Sequence, residues 1–201
     1  MNSKINLKEI ERKAYTSYHQ DGILEITIAF VILMFAAVML AEMPWLGGVA
    51  GALAVSLYAG IKKLVTVPRM GYVKFSQQRT KKITALILVL GLVSMVAGIF
   101  AFMQTTSSGT PEWLLFVIDN YMLTIGIAVS SLFLLGGYAF KINRIYAYAL
   151  LTLTLFFGGH FISFPVYYYL TVLGSIVLTV GLVMMIRFVH KYPKATETVD
   201  A

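Results

Sequence analysis

Between two long apolar runs lies the segment Lys62 to Lys82, KKLVTVPRMGYVKFSQQRTKK, which holds seven of the sixteen Lys and Arg residues of the chain. A cation held at the centre of a bilayer costs about 2.5–3.5 kcal/mol on insertion scales, so seven together must lie in water. The runs on either side are near 20 residues long, the length that crosses about 30 Å of hydrocarbon. Composition agrees: 59% of residues are apolar and 12% charged, against about 25% charged in a soluble domain. The fold class implied is all-α, a polytopic membrane helical bundle.

Six spans are expected, at about 22–40, 45–61, 83–103, 113–140, 145–162 and 165–187. With six spans, all sixteen cations fall on one side: four before the first span, seven in the loop 62–82, two at Lys141 and Arg144, and three at the C-terminal end. By the positive-inside rule that side is cytoplasmic, and an odd number of spans would scatter the clusters. The expected location is the cell membrane, with both termini in the cytoplasm. Residues 1–21 read as a cytoplasmic segment with a short amphipathic helix, from the capping-box spacing at Asn6 to Glu9 and from Leu7, Ile10, Ala14 and Tyr18 at helical intervals. No small-residue cleavage pattern marks a removable signal peptide. Residues 22–190 form the transmembrane domain, and 191–201 a short flexible tail.

Within the basic stretch, Leu64 to Val67 and Tyr72 to Phe75 are β-prone runs joined by Pro68-Arg69-Met70-Gly71, which predicts a small hairpin or tight turn at the membrane surface. Its cations Arg69, Lys74, Arg79, Lys81 and Lys82 form a candidate surface for anionic lipid head groups or a cytoplasmic protein. The Gly47 to Gly51 spacing permits close helix approach and reads as packing; a homo-oligomer stays open among the partners. Val89-Leu90-Gly91 with Gly98 echoes Val172-Leu173-Gly174 with Gly181, the relation expected of an inverted three-plus-three repeat like those of secondary transporters. The surface N-terminal helix and the substantial connection between the second and third spans also resemble the elbow and coupling segments of ABC-type export permeases. That resemblance is one of layout, shares no motif and assigns no residue.

Few residues inside the spans can carry chemistry. Asp119 lies about six residues past Trp113, roughly 9 Å deep if the fourth span is continuous. His160 is its candidate partner, with Asn120, Tyr121 and the tyrosines at 167 to 169 as hydrogen-bonding neighbours, in a cluster that could bind a cation or relay protons. The alternative is that the span starts near Asn120, with Asp119 an interfacial cap and Glu112 to Ile118 flat on the outer surface. Glu25, about one turn into the first span, either snorkels toward a cytoplasmic Lys or Arg or faces the bundle interior in a coupling role.

Catalytic patterns are missing. The sequence has no HExxH, no glycine-rich phosphate loop and no GxSxG, and no cysteine for thiolate chemistry or metal ligation. No enzyme activity, metal or cofactor is expected. The cations are short juxtamembrane clusters rather than a stripe on a soluble domain, which argues against nucleic acid. Two classes stay open: a small transporter or permease component, and a noncatalytic accessory or assembly protein.

Overall fold

The computed structural model describes residues 18–43, 47–71, 112–162 and 164–193, and every element in them is helical. In chain order these are α1 (Ile23–Leu40), α2 (Gly47–Ile61), a π-helical turn (Lys62–Thr66), α3 (Val67–Met70), α4 (Glu112–Asp119), α5 (Tyr121–Phe140), α6 (Asn143–Ile162) and α7 (Val166–Lys191). Five helices are long and apolar enough to cross a membrane: Ile23–Leu40, Val49–Met70, Tyr121–Phe140, Asn143–Ile162 and Val166–Lys191. The N-terminal amphipathic segment up to residue 17, the third span at 83–103, Lys74, Arg79, Lys81, Lys82 and the tail from residue 194 lie outside the described residues.

These helices are apolar on all sides. Val55, Leu150 and Phe161 are each about two-thirds exposed or more, at 72%, 65% and 71%. Helices that are apolar all round belong in a hydrocarbon surrounding, where apolarity no longer decides which face points inward. Small residues and hydrogen bonds decide instead, because lipid tails are as apolar as Leu.

Two of the expected elements differ. The hairpin expected between Leu64 and Phe75 is not formed up to Met70: the second long helix runs on through the π turn and α3. Pro68 sits in the first turn of α3, where its missing N–H costs least, and the π turn just ahead of it absorbs the irregularity. The helix stops at Gly71, whose φ of 75° belongs to the left-handed region. The fourth span is likewise not one helix. Asn120, at φ −107° and ψ 33°, separates α4 from α5, which matches the arrangement in which the span starts near that residue.

The chain divides into two compact units. In the first, α1 packs on α2 and, most extensively, on α7. A Cβ placed on Gly181 would stand 2.9 Å from the backbone nitrogen of Ile26, and one on Gly174 2.8 Å from Leu33. The two helices therefore run antiparallel, with glycines letting the backbones close. Gly174 and Gly181, noticed in the sequence for their repeat-like spacing, thus sit in a packing seam. The short connection after α1 makes α2 antiparallel to it as well. One end of this unit then gathers all its described Lys and Arg residues, Lys62, Lys63, Arg69, Arg187 and Lys191, while Glu42 lies at the other.

In the second unit, α5 and α6 form an antiparallel hairpin. A Cβ on Gly126 would meet that of Phe156 at 2.5 Å, and Gly137 lies under the ring of Tyr146. The Ser130 hydroxyl donates across the seam to the Ala149 carbonyl at 3.0 Å. Lys141 occupies the turn between the helices and Arg144 the first turn of α6, with Glu112 and Asp119 toward the opposite end.

Candidate functional site

Charge is buried at the cation-rich end of the first unit. Asp21 is fully buried, Glu25 is 1% exposed, Lys62 5% and His19 7%. Asp21 ends up there because Gly22 turns the chain sharply into α1. Gly22 holds φ 73°, and a Cβ on it would come within 2.2 Å of the Gly181 carbonyl oxygen. Only glycine satisfies both demands at this position. Asp21 then uses its two oxygens for different tasks. Oδ1 accepts from the backbone N–H of Ile23 at 3.2 Å, covering one of the unsatisfied donors at the start of α1. Oδ2 accepts from Lys62 Nζ at 2.6 Å and from the Thr66 hydroxyl at 2.5 Å.

Lys62 and Thr66 bracket the π turn, four residues apart on the same side of the helix. The Lys62 ammonium has further partners. It donates to the Tyr18 carbonyl at 2.6 Å and sits 3.9 Å from the centre of the Tyr18 ring, with the Tyr58 ring at 5.7 Å. The Glu25 carboxylate adds a weaker attraction. The ion pair, the carbonyl and the ring face together offset part of the desolvation that a buried ammonium suffers.

Sequence reasoning passed over Asp21, Lys62 and Thr66, and two signals could have found them. The first span and the second are of nearly equal length around a short connection, so position 21 and positions just past 61 must return to the same level. Lys62 is also the first cation after an apolar run. The π turn, which keeps Lys62 and Thr66 inside the helix rather than in a loop, has no such signal.

Of the residues singled out from sequence, Glu25 lies within this cluster, buried and near a cation. Arg69 is half-buried and donates from a terminal guanidinium nitrogen to the Val65 carbonyl at 2.8 Å, which occupies part of its surface-binding capacity. The other described ones belong to the second unit. Asp119 closes α4 and is exposed, Asn120 donates its side-chain amide to the Phe116 carbonyl at 3.0 Å, and Tyr121 is exposed. The α5–α6 register sets His160 level with Tyr121, where it is exposed with Phe161 edge-on at 5.5 Å. No hydrogen bond or ion pair among the described residues joins Asp119 to His160.

Chemically, the arrangement holds a cation by oxygen donors and an aromatic face. Among the described residues no group of three or more His, Cys, Asp or Glu side chains is placed to hold a metal ion. Beside the cluster, an apolar groove of about 370 Å³ opens along α1, α2 and α7, lined by Ile26, Phe30, Leu33, Met34, Leu57 and Leu178. No protein-family model matches the chain, and no curated protein or solved structure matches it.

Proposed function

We propose that the chain is a six-span protein of the cell membrane, with both termini cytoplasmic, and that it is a small noncatalytic transporter or permease-type component moving an ion or small solute. The observation that supports transport is the burial of Asp21, Glu25, Lys62 and His19 at one end of the first unit. Ionisable groups buried among membrane helices are expensive, and where they persist they commonly mark ion or proton pathways. The orientation is supported by the gathering of cations at one end of each unit, combined with the positive-inside rule.

The test is flux through vesicles reconstituted with the full chain. Asp21→Asn, Glu25→Gln and Asp119→Asn are compared with wild type under imposed proton, sodium and potassium gradients. Transport predicts wild-type flux in at least one gradient and its loss in Asp21→Asn or Glu25→Gln; loss in Asp119→Asn would extend the pathway to the second unit. Wild-type vesicles as tight as empty ones in every gradient would overturn it.

A second reading is favoured by a different observation. Lys63, Arg187 and Lys191 are exposed at the same end as the buried cluster, a surface suited to anionic head groups or an acidic cytoplasmic partner. An accessory protein would bind vesicles rich in anionic lipid, or such a partner, and conduct nothing.

A further inference from the structure

We propose that the groups around the Lys62 ammonium form a binding site for a small monovalent cation, an alkali ion or ammonium, with which Lys62 exchanges. The side chain of Lys62 ends in what is chemically a tethered alkylammonium ion. Its position already displays the features of a cation site: a carboxylate oxygen and a main-chain carbonyl oxygen, each at 2.6 Å, and a ring centre at 3.9 Å. The Thr66 hydroxyl points at the same carboxylate oxygen and offers a further oxygen to an ion seated there. Carboxylate, carbonyl and hydroxyl oxygens suit hard cations, while an aromatic face favours weakly hydrated ones and ammonium.

Charge number follows from the donor set. Transition metals prefer nitrogen and sulfur ligands, and calcium takes six to eight oxygens, often from several carboxylates. The position is held by a single charged ammonium, bonded to the one carboxylate of Asp21, which suits an ion of single positive charge. Exchange requires the long flexible stem of Lys62, buried in this structure, to swing outward while Asp21 stays held by its bond to the Ile23 N–H. The ion leaves Asp21 compensated as Lys62 departs, which avoids the large penalty of a lone buried carboxylate. Neighbouring Lys63 is exposed and makes no part of the site. The inference deepens the transport reading and rests on it for a role in flux; binding is tested without flux.

The experiment is amine labelling of the full-length wild-type chain in detergent, read peptide by peptide by mass spectrometry. Lys62 and Lys63 are followed together at equal ionic strength in sodium, potassium, rubidium or the bulky tetraethylammonium cation, none of which consumes an amine reagent. Exchange predicts that Lys62 is labelled several-fold faster in at least one small cation than in the bulky one, with Lys63 unchanged; the accelerating cation identifies the ion. A companion measurement takes Lys62→Ala, whose melting temperature should rise with added ammonium or methylammonium while that of wild type does not. Equal protection of Lys62 in all four cations overturns the proposal, and labelling decides if the variant does not accumulate or if the two measurements part. Cation-dependent labelling without flux would remove transport and keep the site. Flux with cation-independent labelling would do the reverse.

Discussion

In the first unit the buried polar groups at one end carry charge and come from segments 41 residues apart in sequence. In the second unit the seam is closed by neutral hydroxyls, Ser130 reaching across the hairpin and Thr152 bonding to the Tyr148 carbonyl one turn back in its own helix. Both are legitimate ways to seal helices in hydrocarbon, yet their consequences differ. A hydroxyl satisfied by a carbonyl a turn away can be lost at small cost. A carboxylate and an ammonium that depend on each other make the entry to α1 and the exit from α2 a single structural element. The charged arrangement can be rearranged by an ion, and the neutral one has nothing to rearrange.

The contrast is broken most severely at Lys62. Lys62→Met leaves Asp21 buried without its cation and should cost about 3–5 kcal/mol. Asp21→Asn combined with Lys62→Met should recover most of that loss, as measured by unfolding of the detergent-solubilised chain. A double variant no more stable than Lys62→Met would mean that the pair does not act as a unit. Next comes the close approach at the same end. Gly22→Ala meets both a left-handed backbone and the Gly181 carbonyl, and overpacking of this kind costs about 1–3 kcal/mol before the backbone penalty of about 1–2 kcal/mol is included.

Smaller effects are expected in the second unit. Gly126→Ala would press on Phe156 and should cost about 1–3 kcal/mol, whereas a Cβ on Gly136 has no neighbour within 4 Å and Gly136→Ala should be neutral or slightly stabilising. The pair, compared by thermal unfolding, separates contact from helix propensity. Smallest of all, Ser130→Ala should cost about 0.6 kcal/mol, the typical value for a hydrogen bond between membrane helices. A loss at Ser130 as large as at Lys62 would erase the distinction between the units.

The helices were legible in the sequence because length and apolarity in a membrane chain are nearly sufficient to specify them. Ile23–Leu40 and Val166–Lys191 fall close to the first and sixth expected spans, while the second runs past its expected end and the fourth breaks at Asn120. Pro68 and the β-prone run Leu64 to Val67 pointed to a turn because local preference favours one there. The surrounding helix overrode it, with the π turn as the local adjustment. Glu25 was visible as an unusual acid in an apolar run. Asp21 was not, since a carboxylate just outside a span is ordinary until a cation from another helix is known to cover it.

The sequence by itself determined that this chain makes helices suited to hydrocarbon and where its cations can lie, because both depend on the transfer of side chains between water and lipid, a property of each residue in its local run. Only the tertiary structure decided which glycines are seams and which are idle, and that Lys62 turns inward to Asp21 while Lys63 stays outside. Those outcomes depend on the level at which one helix meets another and on the phase of a single π turn. Neither is a property of any one stretch of chain.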